Sequence, residues 1–448
     1  MQPVTTSETI DKMTALQVIA STSVWMCWSV LVVVLYALDL GFNFAQLFGL
    51  LALTGFAAAG FQLSWFALGS RSLSRRFIRT TTAVLALVAL AMGWLFLQAS
   101  FALNQLQFFA VLAGLGGAQL YVRGERGSTE SSTMGWELAV TAAVGGIGIV
   151  LAQIATPIVV TLPSLLGGNA DPLLTSISMG NVLGSVRPEQ PISLSNLGWM
   201  LLVFTCVAVL YPAQRQSQER PTHAPFHRRY LIRNPHLWVM TLLYIMAFGS
   251  FIGFALSFPL VLQFLFGLSR EWQAGELVNA VSNDYAPQAL TYAWLGPLVG
   301  VVARPLGGWL ADLYGGARVT FVCAVLLALA CAAAAYLTQQ AFHSGAPEQY
   351  FLLFLLVFFG LFVVSSLASS AIYRSASVLF PAAQLPIALR WLAACATAGA
   401  GYIPLMWGVQ SVTGTPALAL VAFAVFYLIC AMIVAGVYLR RHSVYFNP

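Results

Sequence analysis

Residues 304–318 read Arg304-Pro305-Leu306-Gly307-Gly308-Trp309-Leu310-Ala311-Asp312-Leu313-Tyr314-Gly315-Gly316-Ala317-Arg318. The stretch ends one long apolar run and opens the next. Only Asp312, a glycine pair and Arg318 stand between the two runs. Glycine tolerates the backbone angles of a sharp reversal, so the segment predicts two helices joined by a very short turn. Each run is long enough to cross ~30 Å of hydrocarbon. Helical hairpins of this kind set the reading for the rest of the chain.

Of the 448 residues, 59% are hydrophobic and 8% charged, against about 25% charged in a soluble domain. No soluble core hides that much apolar surface, so the expected solvent is lipid. Twelve apolar runs fall near 17–40, 45–69, 80–101, 103–122, 134–161, 195–213, 236–265, 290–313, 317–340, 348–373, 384–412 and 415–439. The longest polar breaks are 162–194 and 214–235. The expected architecture is an all-α membrane protein of twelve transmembrane helices. An N-terminal six-helix bundle (1–213), a cytoplasmic linker (214–235) and a C-terminal six-helix bundle (236–448) compose it. The polar first residues, with no small-residue cleavage site after the first apolar run, make a removed signal peptide unexpected.

Basic residues set the orientation. With the N-terminus inside, 16 of the 20 fall in cytoplasmic segments, only Arg187 and Arg270 fall outside, and Arg304 and Arg390 lie within helices. The chain is therefore read as a multi-pass inner-membrane protein with both termini cytoplasmic. The net charge of +6 follows from this asymmetry and gives no reason to expect nucleic acid. The six cysteines all sit in apolar runs, with neither metal-ligand spacing nor a disulfide framework. No nucleophile–base set, metal cluster or nucleotide loop stands out. An enzyme is not expected, nor is any metal or cofactor.

Two features carry mechanism. Asp312 can pair with Arg318 or cap a neighbouring helix end, either as a conformational latch or as part of a plain tight turn. Arg304 lies eight residues earlier, about 12 Å into the membrane at 1.5 Å per residue. A charge there costs at least ~2.5–3.5 kcal/mol, so it should face a cavity or a partner. No carboxylate falls at equal depth, and a planar guanidinium suits two oxygens of one anion. The alternative is a structural arginine bonded to backbone carbonyls. Arg390 lies near its helix end and either snorkels or adds positive charge to a pathway. A weak internal repeat aligns Gln62 and Ser70 of the first half with Arg304 and Asp312 of the second, as repeated transporter bundles do.

The segment Gly308 to Arg318 resembles the loop motif of the major facilitator superfamily. The stretches Trp238 to Phe258 and Trp294 to Thr320 resemble the nitrate/nitrite porters, and Ser23 to Met26 and Gly114 to Gly117 are similar as well. The resemblance implies an anion held between arginines of the second and eighth helices, walled by aromatic side chains of the seventh. Arg304 matches the eighth-helix arginine, and Tyr244 and Phe248 match the aromatic positions, although such a pair alone is ordinary packing. The chain departs from the pattern in four places. Gln62 replaces the second-helix arginine. In the fifth-helix run Gly145-Gly146-Ile147-Gly148, Gly146 replaces an asparagine. The aromatic-proline run before it is missing from Gly127 to Met134. Arg390 replaces a glycine in the eleventh helix, which keeps Gly399. Glycines 145, 148 and 399 serve close helix packing or touch substrate.

The expected function is secondary transport, by alternating access, of a small oxyanion such as nitrate or nitrite. Exchange is preferred to proton symport, since no mid-membrane carboxylate offers a proton relay. The protein is expected to be a monomer in the lipid bilayer. A transporter of the same fold for another small solute, and a transport-dead partner or sensor, remain open alternatives.

Overall fold

A computed structural model describes residues 12–69, 75–98, 101–118, 134–165, 173–210, 231–273, 276–381, 383–441 and 443–448. Most of the expected linker and nearly all of 127–134 lie outside the described residues. The helices are α1 (Lys12–Met26, continuing past Cys27 as Trp28–Ala37), α2 (Phe44–Leu68), α3 (Arg75–Leu95), α4 (Leu103–Ala118), α5 (Met134–Val160) and α6 (Ser195–Leu210). They are followed by α7 (Pro235–Phe266), α8 (Leu295–Tyr314), α9 (Gly316–Phe342), α10 (Phe351–Leu379), α11 (Leu385–Ala396, then Gly399–Thr413) and α12 (Ala417–Tyr438). Among the described residues nine helices are long and apolar enough to cross a membrane. The other three, α3, α4 and α6, stand in the third, fourth and sixth places of the apolar runs.

Local chemistry fixes the helix ends. Asn43 caps α2 in a reciprocal box with Gln46, satisfying amide donors that the first turn leaves open. Asn234 caps α7 through the His236 amide, with Pro235 in the first turn, where its missing N–H costs nothing. Gly315, at φ +86°, turns α8 straight into α9. Asn447 closes this corner, donating to Tyr314 O and accepting from Arg318 N. In α7 the turn Ile245–Gly249 is π-helical.

Packing pairs the outer helices, α3 with α6 and α9 with α12. Two seams join the first-half helices to the second-half ones: α5 packs against α8, and α2 against α11. Helix α1 adds contacts to α7. One difference from the all-helical expectation is found in the segments between helices. Residues 173–192 form the antiparallel pairs Leu173–Leu174 with Pro191–Ile192 and Met179–Asn181 with Gly184–Val186, and Leu268–Gln273 pairs with Glu276–Ser282. In the second of these pairs the Asn181 carboxamide accepts the amides of Leu183 and Gly184 and so forms the hairpin turn. Arg270, in the last pair, donates to the carbonyls of Phe264, Leu265 and Leu268 at the end of α7 and lies over the Phe264 and Phe342 rings. Burial lowers its guanidinium to about 10, leaving it charged at neutral pH.

Candidate functional site

Arg304 stands midway along α8, next to Pro305, and is only 3% exposed. Its guanidinium lies 5.1 Å from the Phe248 ring centre and 5.7 Å from that of Phe251, both on α7. Nη1 donates to the Ala142 carbonyl of α5 at 3.1 Å, whereas Nε has no partner. Among the described residues no carboxylate pairs with it. A buried charge of this kind is costly, and here it is met by one carbonyl, two ring faces and the neighbouring Tyr244 hydroxyl.

Tyr244 and Phe248, on either side of the start of the π turn, stack at 5.3 Å with their planes 10° apart. Tyr373 of α10 stacks on the other face of Tyr244 at 4.8 Å, and its hydroxyl neighbours those of Tyr244 and the Arg304 guanidinium. A column of rings, Tyr373, Tyr244, Phe248 and Phe251, thus runs beside the arginine. Sequence reasoning missed Tyr373 and Phe251. Phe251 lies seven residues beyond Tyr244, a helical spacing that offered a signal. Tyr373, on another helix, offered none.

Gln62 is fully buried in α2. Its Nε2 donates at 3.0 Å to both Gly117 O of α4 and Thr397 Oγ1 in the break of α11, and its Oε1 has no partner. The amide donor thus spans α2, α4 and α11, and no hydrogen bond joins it to Arg304.

Asp312 accepts the first amides of α5, from Gly135 at 3.2 Å and Trp136 at 3.1 Å, and pairs with Arg374 Nε of α10 at 2.8 Å. A carboxylate at a helix N-terminus gains from both the open N–H groups and the helix dipole. Arg318, one of the expected partners, instead lies over the Phe446 ring. Its place just after the turn directs it to the chain end, while α10 packs along α8 and brings Arg374 to Asp312.

The glycines mark close approaches. A methyl on Gly308 would collide with the Gly135 backbone, one on Gly146 with Val301, one on Gly148 with Ile19 O and Thr22, and one on Gly399 with Gly249. Gly145 is buried in α5. Arg390 is buried and donates from Nε to Pro386 O. No group of metal-binding side chains occurs among the described residues.

Contacts among the described residues join first-half and second-half helices toward both ends of the molecule. At the Asp312 end, α5 meets α8 through Gly135 and Gly308, and Phe66 meets Trp391 at 5.1 Å. At the opposite end Tyr36 stacks on Phe44, Phe44 meets Phe264 at 5.0 Å, and Phe48 stacks on Trp407.

The fold is that of the major facilitator transporters. The chain superposes on a point mutant of the nucleoside transporter NupG with a TM-score of 0.57, covering 95% of this chain and 99% of that one at 14% identity. It superposes on the human organic anion transporter MFSD10 with a TM-score of 0.54, covering 95% and 98% at 14% identity. Within that class the chain is a relative of nitrate/nitrite transporters. It is 29% identical over 381 residues to the probable nitrate/nitrite antiporter NarK2 of Thermus thermophilus, covering 84% of this chain and 79% of the relative. It is 26% identical over 447 residues to the nitrate/nitrite transporter NarU of Escherichia coli, covering 93% and 88%. No protein-family model matches the chain.

Proposed function

We propose that this protein is a secondary transporter of a monovalent oxyanion, nitrate or nitrite, and that Arg304 is its anion receptor. The observation that carries the reading is Arg304 itself: a mid-helix charge, 3% exposed, with Nε unpartnered and, among the described residues, no carboxylate beside it. One positive charge makes a neutral complex with a monovalent anion, which a low-dielectric site favours over a divalent one. Tyr244, Tyr373 and Phe248 wall the receptor, and Gln62 of α2 is its neutral contact from the first half. Transport proceeds by rocking of two bundles, 1–213 and 236–448, joined by the linker 214–235. The Asp312 end opens to the cytoplasm and the Phe44–Trp407 end to the outside, with both termini cytoplasmic in the inner membrane. The protein works as a monomer. With no buried carboxylate at the described site to carry a proton, the coupling is anion exchange.

The test is counterflow of labelled nitrate and nitrite in proteoliposomes. Arg304→Lys keeps the charge but loses the fork, and should abolish most counterflow with membrane levels near normal. Counterflow in Arg304→Ala equal to that of the parent would overturn the assignment. A second reading, transport of another small solute, is favoured by Gln62, whose neutral amide binds an anion less strongly than a guanidinium. A screen of neutral and anionic solutes separates the two.

A further inference from the structure

We infer that Ser366 is a second donor in the anion site, one that reads the shape of the ligand rather than its charge. The inference rests on Arg304 being the anion receptor. Helix α10 carries five buried serines, at 365, 366, 369, 370 and 375. Ser365 donates to Phe362 O at 3.1 Å, Ser369 to Ser365 O at 2.7 Å, Ser370 to Ser366 O at 3.4 Å and Ser375 to Pro448 O at 2.9 Å. Ser366 is as buried as the others, yet its Oγ has no partner. A helical serine usually bonds a carbonyl of the preceding turn, and an unpaired buried hydroxyl is destabilising. Ser366 therefore departs from a pattern that its neighbours keep.

That hydroxyl packs closely on a glycine of α8. A methyl built on Gly300 of α8 would lie 2.8 Å from Ser366 Oγ and 2.6 Å from the edge of Phe251. Gly300 is one helical turn from Arg304, on the same face of α8. Phe251, which packs on the same glycine, is one of the two rings beneath the Arg304 guanidinium. Two buried donors without partners, Arg304 Nε and Ser366 Oγ–H, thus lie beside the same ring, Phe251. A planar oxyanion has several acceptor oxygens set apart in one plane, so one can meet the guanidinium while another takes the hydroxyl proton. A halide has no second oxygen to place. The hydroxyl adds direction without adding charge, so the complex with a monovalent anion stays neutral.

The experiment measures dissociation constants of nitrate, nitrite and chloride by calorimetry on the purified full-length parent, Ser366→Ala and Ser369→Ala. Ser369, whose hydroxyl is already bonded, is the control. Ser366→Ala should weaken nitrate and nitrite about tenfold, or 1.4 kcal/mol, and leave chloride unchanged. Ser369→Ala should change none of the three. If Ser366→Ala fails to assemble, Ser366→Cys, of similar size and a weaker donor, should weaken nitrate and nitrite in the same direction. Nitrate and nitrite constants within twofold of the parent in a folded variant would overturn the assignment while leaving Arg304 as receptor. Equal weakening of chloride would also overturn it, since the effect would then be one of packing. If the parent binds neither oxyanion, the anion reading itself falls, and the role of Ser366 with it.

Discussion

The two seams between the halves share close glycine contacts and differ in the polar groups set beside them. Where α5 meets α8, the backbones touch at Gly135 and Gly308, and charge is added to that contact. Asp312 caps α5 and pairs with Arg374, and Arg304 reaches across to the Ala142 carbonyl. Where α2 meets α11, the backbones touch. A methyl on Gly55 would fall inside the Ala400 peptide, Gln62 bonds Thr397, and ring pairs close both ends. The internal repeat that matches Gln62 with Arg304 and Ser70 with Asp312 therefore places a neutral amide clip where its counterpart has a buried arginine. One seam adds charged groups to close contact, and the other adds a neutral hydrogen bond.

Gly55→Val is expected to have the largest effect. Its side chain would meet backbone, which cannot move aside, and overpacking costs about 3 kcal/mol or more at such a site. A large fall in thermal stability, with loss of the monodisperse species in detergent, checks it; a normal melting curve would mean that the α2–α11 seam is looser than described. Next is Asp312→Ala, which removes a cap worth about 0.5–2 kcal/mol and strands Arg374. It should lower stability by about 2 kcal/mol and Asp312→Asn by less, because the amide still accepts one backbone N–H. Equal melting temperatures for the two variants and the parent would show that the α5–α8 seam does not depend on this carboxylate.

Gln62→Arg removes the difference between the seams. A second guanidinium should tighten nitrate about tenfold, or 1.4 kcal/mol, measured by anion-dependent thermal shift. Unchanged affinity in a folded variant would leave Gln62 as a clip between α2, α4 and α11 and nothing more. The smallest effect belongs to Gly60→Ala. Nothing lies within 4 Å of the added methyl, so the variant should match the parent or gain up to about 1 kcal/mol from helix propensity. A clear loss would place an undetected neighbour against that face of α2.

The helices were legible because lipid imposes a length and a composition that few soluble segments share. The runs near 45–69 and 317–340 correspond to α2 (Phe44–Leu68) and α9 (Gly316–Phe342) within two residues at each end. Arg304 was legible because a charge in an apolar run asks for an explanation. The partner of Asp312 was not, since Arg374 is brought to it by the packing of α10 on α8 across 62 residues of chain. Tyr373 and Ser366 were hidden for the same reason: each looks like an ordinary residue of its own helix, and only the neighbouring helix makes it part of the site. The paired strands were hidden because their segments are short and polar.

The π turn Ile245–Gly249 has a consequence for how related chains are matched. A turn with i→i+5 bonding holds one residue more than an α-helical turn, so it amounts to one extra residue inside a membrane span. Removing any one residue between 245 and 249 would restore a regular helix and rotate its two parts about 100° relative to each other. Tyr244 would then lose its stack on Phe248, or Gly253 would leave its place against Gly399. Pairing this chain with a relative whose seventh helix is regular therefore requires a gap at this turn. Without it, every lining residue on one side of the turn would be assigned to the wrong face.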